Sequence, residues 1–200
     1  KQRLPKEWLL DYMRGGIDCV AVTDHNSGAW IDELKNALRE LDAEKPEGYR
    51  PIHLFPGVEL SVNGSVHVLA IFGGETTASD VDSLIGAVGF SGTKGSSDAV
   101  TTKTFGEVVA EIIKAGGIAI PAHVDEDSGV FTLSGQTLQQ ALSSNGICAM
   151  EMVSQTYSKP QLYTTNKLSW AEVLGSDAHH PNGKPGEKFQ LEEATISDIH

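Results

Sequence analysis

Residues 17–25 read IDCVAVTDH, a mostly apolar run that stops on an aspartate and a histidine. Such a run is what a strand covered on both faces requires, and Asp24 and His25 stand where it ends. The same punctuation recurs along the chain. Residues 118–122 (IAIPA) predict a buried strand with His123 directly after it, and residues 173–175 begin another strand, followed by Asp177 and His179. Residues 149–153 predict one more, with Glu151 near its end. Amphipathic stretches separate these runs. Residues 8–14 end a helix closed by Gly15-Gly16, and residues 30–41 place Ile31, Leu34, Leu38 and Leu41 on one helical stripe. Helices are also expected over 81–88, over 105–115 (ended by Gly116-Gly117) and over 138–142. Strands alternating with helices predict an α/β domain on a parallel sheet, open or closed into a barrel.

A pair of strands stands apart from this alternation. Residues 54–62 (LFPGVELSV) and 65–72 (SVHVLAIF) flank Asn63-Gly64, a strong hairpin signal. Side chains alternate faces along a strand. A two-residue turn would pair Leu60 with His67 and put His67 on the face opposite Glu59. If both side chains serve one metal, the connection must be odd, for instance Asn63-Gly64-Ser65, or carry a bulge. The odd register is the expectation.

Composition narrows the function. The 200 residues suffice for one domain with a real core, and 40% of them are apolar. No apolar run approaches the ~20 residues of a membrane helix, and no secretory apolar segment follows the first residues. The two cysteines, Cys19 and Cys148, lie in apolar stretches and read as small buried core residues, consistent with a reducing, cytoplasmic home. A formal net charge of −12 argues against a surface that holds nucleic acid by neutralising phosphates. Divalent cations bound by acids and imidazoles reverse the local field, so an acidic protein can still act on a phosphate ester.

In a parallel α/β domain the C-terminal strand ends share one rim, where sites gather. Asp24, His25, Glu59, His67, His123, Asp177 and His179 converge there from separate elements. Each alone has an ordinary explanation as a cap or loop residue; together they predict a metal site. Imidazoles and carboxylates without cysteine suit Zn²⁺, Mn²⁺ or Fe²⁺, and more ligands than one ion needs suggests two or three ions. Lys94, in the glycine- and serine-rich loop 89–97 (GFSGTKGSS), Glu151 and His180 are candidates for contacting substrate.

Five short motifs carry a family resemblance. Val22-Thr23-Asp24-His25-Asn26, Phe55-Pro56-Gly57-Val58-Glu59, His67-Val68-Leu69, Pro121-Ala122-His123 and Gly175-Ser176-Asp177-Ala178-His179-His180 resemble successive motifs of the PHP (polymerase and histidinol phosphatase) domain. Residues 24–32, 55–62 and 89–98 look most like the PHP domain at the head of large AAA- or SMC-like ATPases, the TrlF-like group. The resemblance implies a distorted seven-stranded, TIM-like β/α barrel with up to three metals. It implies that Glu59 bridges two ions, that His67 and His123 hold one of them, that Asp177 helps hold the other, and that His25 and His179 serve the third. Asp24 is then a ligand or a neighbour of one.

The family's opening His-x-His motif does not occur in this sequence. The expectation is therefore a single PHP domain over residues 1–200 that lacks its first strand and belongs to a longer protein with a C-terminal ATPase region. The implied activity is hydrolysis of a phosphate mono- or diester by metal-activated water, with Glu59, Asp177 and His179 as catalytic residues. A nucleotide, a nucleic-acid end or a small phosphate would be the substrate. The rivals are a metal-dependent amidohydrolase and a non-catalytic domain coupled to an ATPase.

Overall fold

A computed structural model describes residues 4–154 and 156–175. Helix α1 (Pro5–Arg14) precedes strand β1 (Cys19–Val22), helix α2 (Ile31–Glu44) and the hairpin β2 (His53–Val62) and β3 (Val66–Ile71). Helices α3 (Ala78–Ala87) and α4 (Phe105–Lys114) lead to β4 (Ile118–Pro121), a 3-10 turn (Val130–Thr132) and α5 (Gly135–Leu142). Strand β5 (Ala149–Met152), the short α6 (Gln161–Thr165) and β6 (Ala171–Leu174) complete the described residues. Thr77 with Asp80 and Thr104 with Glu107 close capping boxes that start α3 and α4.

The sheet is mixed: the parallel β1–β2 pair and the antiparallel hairpin are as expected, and the correction is that β4 pairs antiparallel to β3. Its order is β1-β2-β3-β4; β1 pairs with β2 in parallel, but β3 runs antiparallel to both β2 and β4. Strands β5 and β6 form a second, parallel pair. A bridge between Ala119 and Ile147, and the Val124 N–H donating to the Glu151 carbonyl at 2.9 Å, set that pair beside β4. Among the described residues this makes six strands in two sheets; a seventh strand and a closed barrel are not part of them.

The hairpin takes the odd register. Val62 faces Val66 and Ser61 faces His67, so Asn63-Gly64-Ser65 is a three-residue connection, with Gly64 (φ 100°) and Ser65 (φ 58°) both left-handed. Period-2 alternation then sorts the side chains. Val58, Leu60 and Val62 on β2, with Val66, Val68 and Ala70 on β3, are fully buried in the core, while Glu59 and His67 share the opposite face. The core continues into Leu9 and Met13 of α1, Leu34 and Leu41 of α2, and Val108 and Ile112 of α4.

Two burial expectations fail. Cys19 and Cys148 are exposed. Strand β1 is an edge strand among the described residues, and only Val22 of its four residues is buried. An apolar run identifies a strand, but it does not say whether another layer covers it. Helix α6 was not foreseen, because QLYTT is too short to show a helical stripe.

Candidate metal centre

Backbone pairing places the first ligands. Beyond β1 the chain rejoins β2: the Glu59 N–H donates to the Asp24 carbonyl at 3.2 Å, and the Asn26 N–H donates to the Glu59 carbonyl at 2.8 Å. His25 and Glu59 thereby become bridge partners. Because β3 is antiparallel, its beginning lies at the rim where β1, β2 and β4 end. That brings His67 beside Glu59, while the turn after β4 delivers His123.

Glu59 is the hub. Its Oε1 lies 2.9 Å from His67 Nδ1 and 3.1 Å from His123 Nε2, while Oε2 faces His25 Nδ1 at 3.6 Å. His67 Nδ1 and His123 Nε2 are 3.2 Å apart. The side chains of Glu59 and His123 are 9% and 5% exposed, so the cluster is shielded but open past His25 at 22%. Burial alone would push the Glu59 carboxyl up. Hydrogen bonds from His123 and His67, with the charges of His25 and His67, outweigh it and bring the pKa down to about 2.

These residues fit a divalent cation. Bonds of ~2.0–2.1 Å in a tetrahedral shell set neighbouring donors ~3.3 Å apart, and the donor separations around Glu59 run from 2.9 to 3.6 Å. One donor atom each from His25, Glu59 and His67 lies within 4.8 Å of the others. The carboxylate is ionised, as a ligand must be. Asp24 is outside that group; so is His123, whose Nε2 faces Glu59 and His67 directly. Asp24 keeps solvent-exposed surface, but the protein around its carboxyl raises its pKa by desolvation, and His25 pulls it back. Asp177, His179 and His180 lie outside the described residues.

Glu151 reaches the centre through the backbone. Its Oε2 accepts from the N–H of His123 at 3.0 Å, and His123 holds a left-handed φ of 27°. Asp125 returns the grip: its oxygens accept from the N–H groups of Val153 (2.9 Å) and Ser154 (2.7 Å). The two carboxylates clamp the β4 turn to the end of β5 and fix the direction of His123. A β-carbon at Gly175 would collide with the Glu151 carboxylate, so any side chain there would push that carboxylate aside. Lys94 pairs with Asp82 at 2.7 Å, and its neighbour Gly95 donates to the His25 carbonyl at 2.9 Å. Ser61 and Asp125 are absent from the sequence expectations, and Asn26 stands there only as the last residue of a motif. Asn26 alone had a signal there, as the residue adjoining Asp24-His25 whose type best tolerates a left-handed backbone.

Fold and site together define a mixed α/β domain with a carboxylate–imidazole centre at the rim of its sheet. No family model and no curated protein sequence matches the chain. Solved structures do. The chain is similar to the lesion-specific endonuclease Endonuclease Q from Pyrococcus furiosus (TM-score 0.58, 20% identity), over 87% of this chain and 44% of the other. It is similar to a protein from Bifidobacterium adolescentis described as a metal-dependent phosphoesterase (TM-score 0.58, 18% identity), over 94% and 86% of the two chains. Endonuclease Q in complex with a 27-mer duplex carrying an abasic lesion at its active site gives a TM-score of 0.57 at 19% identity, over 90% and 44%. The chain thus spans less than half of the endonuclease chains it matches. At these identities the likeness establishes the fold.

Proposed function

We propose that this chain is a metal-dependent hydrolase of phosphate esters, and that His25, Glu59, His67 and His123 hold the metal. The observation that carries the proposal is the convergence of three imidazoles on one buried, ionised carboxylate. A divalent ion held there would supply Lewis acidity toward a phosphoryl oxygen and a nucleophile from water near neutral pH. The chain's own residues set the stage for it. Glu59 offers Oε1 to His67 and His123 and Oε2 to His25, so both carboxylate oxygens would be available to a metal held there. Glu151 fixes the backbone of His123, and the shielded side of the pocket limits water. His25, the most exposed of the three imidazoles, stands on the open side of the pocket, where a substrate would approach.

The finer parts of the proposal rest on the motif resemblance. They comprise a seven-stranded PHP barrel, a second or third ion held with Asp177 and His179, a TrlF-like placement and an ATPase region in the same polypeptide. A nucleic-acid strand or its end is the favoured substrate, supported by the duplex in the Endonuclease Q complex. The test is turnover of a phosphodiester, bis(p-nitrophenyl) phosphate, and a monoester, p-nitrophenyl phosphate, with Mn²⁺ titrated into metal-free protein. Saturable turnover that EDTA abolishes supports the proposal. A chain that binds Mn²⁺ and turns over neither ester overturns it.

A further inference from the structure

Loop 89–101 lies against the metal centre, and neither the core nor the ligand set accounts for how it is held there. Its ends meet, the Thr102 N–H donating to the Gly89 carbonyl at 3.3 Å, and they are anchored by buried Val88, Phe90 and Thr101. This closed form is that of an Ω-loop, a class frequently functional. Its tip is tied down beside the ligands. Gly95 N–H donates to the His25 carbonyl at 2.9 Å, and Asn26 Nδ2 donates to the Ser96 carbonyl at 3.0 Å. Thr101 N–H donates to the Ser61 carbonyl at 2.9 Å.

Asn26 ties these pieces together. It is fully buried and left-handed (φ 48°), and its backbone N–H donates to Glu59. Besides Ser96, its side chain bonds the Ser61 hydroxyl (2.9 Å) and accepts from the Ser61 N–H (3.0 Å). One amide therefore links the segment of His25, the strand of Glu59 and the loop tip.

The chemistry the loop presents is that of an anion contact. In a chain of net charge −12, the loop's first limb and tip, residues 89–97, contain no acid and carry Lys94, Ser91, Thr93, Ser96 and Ser97; its one acid, Asp98, is exposed on the return limb. Lys94, Ser91, Thr93 and Ser97 are exposed. The Lys94–Asp82 pair is exposed on both sides, a weak arrangement that leaves the amine free to exchange partners.

We propose that loop 89–101 is a phosphate-contacting wall of the metal centre, and that Asn26 is the positioning residue that holds it there. The ligand is the phosphoryl group of the substrate, so the inference rests on the phosphoester reading and deepens it. Asn26→Gly keeps the left-handed backbone and removes all three side-chain bonds.

The test measures inorganic phosphate binding to the Mn²⁺-loaded full chain by calorimetry, with Mn²⁺ affinity and amide exchange of metal-free protein alongside. In N26G, phosphate affinity should fall about tenfold, with Mn²⁺ affinity kept within about threefold. The Gly95 amide should exchange at least about tenfold faster. K94A, at an exposed position that leaves folding intact, should lower phosphate affinity about fivefold. Its effect should largely vanish in the N26G background, because both act through one loop. Unchanged phosphate affinity in folded N26G or in K94A would overturn the proposal. So would a fall in Mn²⁺ affinity that accounts for the whole loss, since Asn26 would then only support His25. Wild-type protein that binds phosphate in this pattern but hydrolyses no ester would remove the hydrolase reading and leave the wall standing.

Discussion

Replacing Glu59 with glutamine isolates the charge on which the centre is built. The variant keeps the volume of a side chain that is 9% exposed and removes the charge facing His67, His123 and His25 at 2.9, 3.1 and 3.6 Å. Its magnitude follows from linkage. The carboxyl titrates at about 2 in the folded chain against an ordinary 4.5. A folded value below the unfolded one means the charge contributes fully above pH ~4.5, and the contribution is lost as pH falls toward ~2. A gap of about 2.5 pH units corresponds to roughly 3–3.5 kcal/mol, an upper bound. Urea unfolding of metal-free protein, followed by fluorescence of Trp8, Trp30 and Trp170, should show E59Q less stable than wild type by up to that amount at pH 7. The two should converge as the pH drops through 4.5 toward 3. An offset that stays constant with pH would mean that the cost comes from shape and not from the Glu59 charge. The same variant should weaken Mn²⁺ binding about 100-fold, a quarter share of the ~10–16 kcal/mol typical of four-ligand sites.

Other consequences follow from the frame of the site. Ser65→Gly relieves a left-handed serine (φ 58°) without altering the register. It should raise stability by about 0.5–1 kcal/mol in a urea melt and leave metal affinity unchanged. Deleting Ser65 makes the turn even, which would send His67 to the far face or drive Val66 and Val68 out of the core; calorimetry should find neither tight Mn²⁺ binding nor a sharp thermal transition. Glu151→Ala leaves the His123 N–H without its carboxylate and should cost roughly 1–3 kcal/mol and about tenfold in metal affinity, whereas Glu151→Gln, which still accepts, should retain most of both.

How much of this was legible in the sequence differs from residue to residue. The hairpin was the clearest part. Strand periodicity allows Glu59 and His67 to share a face only if the turn is odd, and the structure has Ser61 opposite His67. The ends of β1 and β4 were legible because apolar runs stop abruptly at polar residues. Strand direction was not. The runs forming β3 and β4 look the same whichever way they pair, so the antiparallel arrangement became visible only in the register. Exposure of Cys19 depends on which strand lies at the edge, a property of topology and not of local composition. The bonds of Asn26, and the Asp125–Glu151 clamp, join residues 28 to 70 positions apart, and no spacing rule reaches them. Asp177, His179 and His180 stay as the sequence left them, outside the described residues.

The claim beneath all of this is that one divalent ion sits between Glu59 and the imidazoles facing it. Anomalous diffraction from a crystal of the chain grown with Mn²⁺ or Zn²⁺ measures that directly. An ion held there gives a peak about 2.0–2.2 Å from a Glu59 oxygen and from the ring nitrogens of His67 and His123. A saturated crystal with no peak there, or with ions held only by exposed carboxylates elsewhere, would contradict it.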